Sequence, residues 1–300
     1  MKQIINIALR TIGLRLVRNK TLVALEQRVA SLDAVKNPPD LYSDESLRKE
    51  VLRDNIRIYW KAIDHTNRSQ VPSLSIVCAL CDHESALEKA EVFQSRCIFG
   101  GGELTRHRCP ACGVIYGPAK MLALSDGELA DEYEAHYRVY EEGDSSVHEL
   151  RAFYALNPVL GGRYLNFGSG KWSETSKLLR SQGWDVWSFE PNVSAASASD
   201  PFVLRSWADL TDSRFDGIFS NNVLEHLRNP VATLRTIANS LKPDCLMVHA
   251  TPCFEYLYEY TRFHLFFFTG RSKYVMADLA GLTVVDYFSD GEYMHIILSA

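Results

Sequence analysis

Between Arg163 and Glu190 the chain reads as one supersecondary unit, and this unit constrains the fold more than any other feature. Arg163-Tyr164-Leu165-Asn166-Phe167 is a short apolar strand pattern that opens into Gly168-Ser169-Gly170-Lys171-Trp172. A helical stretch follows, with Ser173 as its candidate N-cap, Leu178 and Leu179 on one face and Gly183 at its end. Asp185-Val186-Trp187-Ser188-Phe189 is the next strand, and it ends in Glu190. Strand, glycine turn, helix, strand and acid in this order open a parallel α/β sheet. Glycines let the backbone approach a ligand closely. Glu190, 20 residues past Gly170, is placed to accept hydrogen bonds from ribose hydroxyls. The turn also has a purely structural reading. An NAD-type fingerprint asks for a third glycine near position 173, where this chain has Ser, which weakens an NAD(P)-dependent enzyme.

The same alternation continues downstream. Phe215-Asp216-Gly217-Ile218-Phe219-Ser220 is a strand opening into Asn221-Asn222-Val223-Leu224-Glu225-His226-Leu227. Asn229 caps the next predicted helix and Pro230 fills its first turn. Val231, Leu234, Ile237 and Leu241 form its apolar face, and Lys242-Pro243 is its predicted stop. Leu246 to Ala250, Thr283 to Phe288 and Tyr293 to Ser299 are the remaining predicted strands. We therefore expect an α/β, Rossmann-like domain over residues 158–300.

Ahead of it, Cys78-Ala79-Leu80-Cys81 and Cys109-Pro110-Ala111-Cys112-Gly113 form two C-x-x-C knuckles. Each aims two thiolates at one point, and together they supply the four sulfurs of a closed, structural Zn²⁺ site. Four thiolates leave no open position, so the site carries no catalysis. Gly113 eases the turn after the second pair. Redox chemistry is the rival reading, without a thioredoxin-like setting around either pair. His83 and His107 are possible substitute ligands. The total of 7 cysteines is odd, which points to a reducing, cytoplasmic setting rather than a disulfide framework. Gly100-Gly101-Gly102 reads as a loop tip between two strands of this module, residues 71–118. Residues 119–157, acidic and tyrosine-rich, read as a helical connector.

Residues 1–70 read as helical. Ile5, Ala8, Leu9, Ile12 and Leu16 follow the helical period, with Lys2, Arg10, Arg18 and Lys20 mostly opposite. Residues 1–20 thus offer a peripheral contact with an anionic membrane at the inner face, or a packing face for the protein itself or a second subunit. A net charge of -5 argues against a general nucleic-acid binder. Apolar residues at 46% match a globular chain with a sizeable core.

The run from Asn166 to Pro252 resembles the core of class I S-adenosylmethionine-dependent methyltransferases. That family's first strand and loop read roughly D-x-G-x-G-x-G, against Asn166-Phe167-Gly168-Ser169-Gly170-Lys171-Trp172 here. Phe215-Asp216 with Val223-Leu224-Glu225-His226, and Leu241-Lys242-Pro243, resemble its "FD…VLEH" and "LKPGG" segments. His264 to Thr269 and Leu279-Ala280-Gly281-Leu282 resemble the stretch before its last two strands. The cysteine segment is similar to zinc-binding modules fused ahead of such cores in bacterial sugar, surface-polysaccharide and secondary-metabolite enzymes. Asn166 stands where the family has an acid, Trp172 where it has the third glycine, and Asp244-Cys245 where it has Gly-Gly.

The resemblance implies a seven-stranded sheet, S-adenosyl-L-methionine as cofactor, structural Zn²⁺, and a saccharide or related small-molecule acceptor. It implies cofactor contacts from Asn166, Gly168, Ser169, Gly170 and Glu190. Asn221 and Asn222, at a strand's carboxyl end, are candidates for the cofactor's amino-acid portion. Asp209 is a candidate for its adenine amino group, with Trp207 stacking nearby. His226 and His264 are the candidate catalytic bases, and Glu225 could orient a histidine or contact the cofactor. Phe254 to Tyr260 and Phe263 to Phe268 are lid or core candidates, and Arg262 and Arg271 candidate diphosphate ligands. The alternative from another class is a non-catalytic scaffold of this fold in a cell-envelope biosynthesis complex.

Overall fold

The computed structural model describes residues 44–69, 74–140, 143–170, 174–191, 200–254 and 260–300. The expected amphipathic helix and membrane contact of residues 1–20 lie outside the described residues, as do Trp172, Ser173 and residues 255–259 of the aromatic stretch. The chain divides into Met1–Val51 and Leu52–Ala300. Of the first unit, only the opening turns of a helix spanning Asp44–Arg68 are described. In the second unit the same helix buries Ile56, Trp60 and Asp64, one turn apart along one face. No described helix is long and apolar enough to cross a membrane.

The cysteine segment builds two small antiparallel sheets. Strands β1 (Ser75–Val77) and β2 (Glu84–Ala86) pair around the first knuckle. Strands β3 (Glu91–Arg96) and β4 (Glu103–Arg108) form a hairpin whose tip holds the three glycines, as expected. Gly100 and Gly102 there have φ of 75° and 72°, a region that disfavours side chains. A two-residue β5 (Ile115–Tyr116) extends the hairpin. Helices over Ala119–Leu122, Asp126–Tyr137 and Ser146–Ala155 make up the connector. The second starts in a full capping box between Ser125 and Glu128.

Strands β6 (Arg163–Phe167), β7 (Asp185–Phe189), β8 (Val203–Leu204), β9 (Phe215–Asn221) and β10 (Leu241–Pro252) follow. After them come β11 (Phe266–Phe267), β12 (Thr283–Ser289) and β13 (Tyr293–Ser299). The main sheet has seven strands in the order β12-β13-β10-β9-β6-β7-β8. β6 to β10 run parallel, and β13 is antiparallel to both β10 and β12. Helices such as Glu174–Ser181, Pro230–Ala238 and Ser272–Ala280 connect them. The order reverses between β6 and β9, so the crevice outside their carboxyl ends is the ligand-binding position of an open α/β sheet.

One expectation changes. The helix capped by Asn229 ends at Ala238, and Leu241, expected on its apolar face, already pairs with Phe215 as the first residue of β10. Asp244 takes φ 61° between Leu241 and Leu246, where the register shifts, and Lys242 is held by Asp216 at 2.8 Å. The turn expected to stop a helix is therefore an irregularity inside a strand. The strand β11, which the sequence did not suggest, lies outside the main sheet. It pairs antiparallel with β5, completing a four-stranded sheet β11-β5-β4-β3. The cysteine segment thus completes its sheet with a strand from the C-terminal part of the chain.

Candidate active site and cysteine centre

The glycine turn follows β6 directly. Gly168 has φ 70°, and a Cβ built on it would lie 2.6 Å from Val223 Cγ2. No side chain fits there without movement, so the backbone stays open toward the crevice. The Gly168 amide donates to Phe189 O at 2.9 Å, and the Gly170 amide donates to Glu190 Oε2 at 3.1 Å. Gly168, Ser169, Gly170 and Glu190 are therefore brought to one rim. Trp207 packs against Phe189 beside them, with ring centroids 4.9 Å apart. Asp209 sits in the short exposed helix Trp207–Thr211, where its amide donates to the capping Ser206 Oγ at 3.1 Å.

Asn166 sits lower. It is buried, and its Nδ2 donates to Glu149 Oε2 at 3.1 Å and to Ser176 Oγ at 3.2 Å. Its amide ties the end of β6 to the helices Ser146–Ala155 and Glu174–Ser181. Asn221 closes the crevice from β9. It is only 8% exposed, and neither its Oδ1 nor its Nδ2 has a hydrogen-bond partner among the described residues. A buried amide left unpaired costs about 1–3 kcal/mol. That cost is removed if a ligand supplies the partners. Asn222 follows with φ 55°, a conformation asparagine tolerates.

The next turn, Leu224–His226, carries the polar wall of the crevice. Glu225 is 1% exposed, and neither carboxylate oxygen has a hydrogen-bond partner among the described residues. Burial pushes its carboxyl up to about 8. Burial likewise holds His226 down at about 4, so its ring is neutral. His226 Nδ1 lies 2.6 Å from Tyr133 Oη and 3.1 Å from Phe263 O. Tyr133 Oη can donate to Nδ1 or accept from it, whereas Phe263 O only accepts; the second ring nitrogen is Nε2. That Nε2 is 3.7 Å from Glu225 Oε1. The His264 ring lies against His226, centroids 4.8 Å apart. Sequence alone singled out both histidines; the structure adds Glu225 as their equal.

The four knuckle cysteines also converge. Cys78 Sγ is 3.9 Å from Cys112 Sγ, and Cys81 Sγ is 3.7 Å from Cys109 Sγ. All four sulfurs lie within 4.8 Å of one another. Tetrahedral zinc with Zn–S near 2.3 Å would space sulfurs about 3.8 Å apart. The two turns share one backbone bond: Asp82 N donates to Cys78 O at 3.0 Å and Gly113 N to Cys109 O at 2.9 Å. Leu80 N donates to Cys78 Sγ at 3.4 Å and Cys112 N to Cys109 Sγ at 3.5 Å. Asp82 and Gly113 then turn through φ 57° and 84°. The Cys112 thiol and burial push the Cys78 thiol up, and burial pushes Cys81 up to about 11. A central cation would reverse this. His83 and His107 are not in the cluster, nor is Cys97.

Two residues that the sequence did not point to tie these parts together. Arg106 of β4, 1% exposed, donates to His264 O at 2.9 Å and to Thr261 O at 2.6 Å. Tyr133, from the connector, reaches His226. Arg262, expected as a diphosphate ligand, is instead buried, donating to Glu132 Oε2 at 3.2 Å and Phe99 O at 3.4 Å. Its guanidinium is used internally.

Residues 137–287 match a protein family described as "Methyltransferase domain". No curated protein sequence matches the chain. Among solved structures, the chain is similar to the mitomycin 7-O-methyltransferase MmcR at 15% identity and TM-score 0.43, covering 60% of this chain and 59% of that one. It is similar to the CcbJ methyltransferase of Streptomyces caelestis at 15% identity and TM-score 0.41, covering 54% of this chain and 99% of that one. It is also similar to the glycopeptide N-methyltransferase MtfA complexed with sinefungin, at 11% identity and TM-score 0.40, covering 52% of this chain and 94% of that one.

Proposed function

The chain belongs to the methyltransferase-domain family, and from that premise we propose that it transfers a methyl group from S-adenosylmethionine to a saccharide or related small molecule. The observation that carries this reading is the amide of Asn221, unpartnered among the described residues, at the carboxyl end of β9 beside the strand that opens into the glycine turn. A cradle that a Cβ would fill, an acid at the next strand end and a buried amide short of partners fit this cofactor. Gly168, Ser169 and Gly170 would face its methionine portion, Glu190 its ribose, and Asn221 with Asn222 its amino acid. Trp207 would flank its base, with Asp209 as the candidate partner of the adenine amino group.

When bound, the cofactor supplies a methyl carbon on a sulfonium. That carbon would pass to the acceptor's nucleophile, whose proton a protein base would take, with S-adenosylhomocysteine as the leaving group. The protein's task is then largely alignment. His226 and His264 are the candidate proton acceptors. The saccharide class and a bacterial surface-polysaccharide or sugar pathway rest on the likeness of the cysteine module to those fused ahead of such enzymes. We assign that module a structural Zn²⁺ held by Cys78, Cys81, Cys109 and Cys112, because its four sulfurs already have the spacing of a thiolate site. The odd number of cysteines, with four in two C-x-x-C pairs, favours action in the cytoplasm or at the inner face of the membrane.

Calorimetric titration with S-adenosylhomocysteine, alongside Gly168→Arg, tests the reading. Micromolar binding that the substitution abolishes is the expected result. Folded, zinc-loaded protein that binds none would overturn it and favour the non-catalytic scaffold.

A further inference from the structure

We propose that Glu225, His226 and His264 form a second metal centre, a divalent-cation site in the acceptor half of the crevice. Their ligand atoms lie within 4.8 Å of one another. Glu225 is the independent sign of a missing partner. It is 1% exposed, and among the described residues neither oxygen is hydrogen-bonded. A carboxyl buried without a partner is costly, and a cation beside it removes the cost. Two imidazoles add neutral donors and no second negative charge.

The surroundings suit ligation. His226 Nε2 lies 3.7 Å from Glu225 Oε1, and its Nδ1 lies 3.1 Å from Phe263 O. This is the support a metal-bound imidazole usually has. Tyr133 Oη holds the same ring at 2.6 Å. His264 is fixed through its backbone by Arg106. Two imidazoles and one carboxylate leave coordination positions open, unlike the four-thiolate centre. The mixed nitrogen and oxygen donors suit first-row divalent ions such as Mn²⁺, Fe²⁺, Co²⁺ or Zn²⁺.

The open positions would take an oxygen of the acceptor. The inference rests on the methyl-transfer reading and replaces a free histidine base. The acceptor hydroxyl would lose its proton to water on binding the ion, and its oxygen then bonds to the methyl carbon as the carbon–sulfur pair returns to sulfur. It narrows the acceptor class to molecules that present a hydroxyl to a metal.

Mn²⁺ distinguishes this centre from the cysteines, because thiolates favour softer ions. The experiment titrates full-length, zinc-loaded protein with Mn²⁺, following free Mn²⁺ by electron paramagnetic resonance. One Mn²⁺ bound per chain is expected. Glu225→Gln and His264→Ala should each weaken it by more than about 100-fold, with zinc content unchanged, and Tyr133→Phe by about tenfold. Co²⁺ added to the wild type should show weak visible bands of nitrogen and oxygen ligation, separate from intense thiolate bands. This measurement needs no variant to fold. No Mn²⁺ or Co²⁺ binding beyond the cysteines, or equal Mn²⁺ binding in the variants, would overturn the proposal. If S-adenosylhomocysteine binding on the same preparations is intact while the cation site is absent, this inference alone fails. If the cation binds and S-adenosylhomocysteine does not, the centre stands and the methyl-transfer reading falls.

Discussion

Arg106 and His264 are joined between the cysteine-bearing sheet and the candidate active site: the guanidinium donates from Nη2 and Nε to the His264 carbonyl oxygen at 2.9 and 3.2 Å. Arg106 is buried, and its other bond, to Thr261 O, holds the same segment. Hydrogen bonds from a charged group are worth about 1.5–3 kcal/mol each in net stability. Arg106→Met, which keeps much of the volume, is expected to lower stability by about 2–4 kcal/mol. It should raise the acceptor KM more than the S-adenosylhomocysteine Kd. Denaturant melts and the two binding measurements check this together.

Gly168 and Gly170 share a φ of 70° but not their surroundings. At Gly170 an added Cβ meets nothing within 4 Å among the described residues, whereas at Gly168 it meets Val223. Gly170→Ala should therefore cost only the left-handed strain of about 1–2 kcal/mol. Gly168→Ala adds a clash beside Asn222 and should weaken S-adenosylhomocysteine binding at least about tenfold, a loss of 1.4 kcal/mol. Calorimetry on both variants separates strain from obstruction.

Metal analysis of protein purified without chelator should give one zinc per chain. Cys112→Ser should lose it, and Cys97→Ser should keep it, because Cys97 lies outside the cluster. Removing zinc should lower the melting temperature, since the cysteine knuckles hold short strands with little core of their own. Protein without stoichiometric zinc would remove this assignment.

His249 on β10 is fully buried between strands, its Nδ1 2.8 Å from Ser220 Oγ. Burial holds its imidazole down at about 3. In the unfolded chain it takes a proton near pH 6.5. Its contribution is therefore complete above about pH 6.5 and is lost as pH falls toward the folded value. The wild type should lose stability between pH 6.5 and 4.5 with a steeper slope than His249→Gln, by up to roughly 1.4 kcal/mol per pH unit. Equal slopes in urea melts would refute the assignment.

Much of this architecture was readable in the sequence because it is encoded locally. Arg163–Phe167 and Asp185–Phe189 are strands with the bounds their apolar patterns suggest, and the Asn229 cap is in place. The paired cysteines met because each knuckle is a self-contained turn. The misread parts depend on distant partners. Leu241 continues a helical period, yet pairing with Phe215 claims it for a strand. Phe266-Phe267 is too short to announce a strand, and only β5 makes it one. Arg106 did leave a trace. It shares a strand face with Leu104, and both are buried, so a cation stood on an inward-facing position. Tyr133 left none, since its contact with His226 spans 93 residues.

The pairing of β11 with β5 also makes the two parts of the chain inseparable as folding units. A polypeptide trimmed to the seven-stranded sheet would keep Phe266-Phe267 but lose the strand it pairs with. The freed amides and carbonyls would form a raw edge, open to other chains. It would also lose Arg106, and with it the anchor of the segment bearing His264. The cysteine region is thus closer to a brace for the segment bearing His264 than to an appendage.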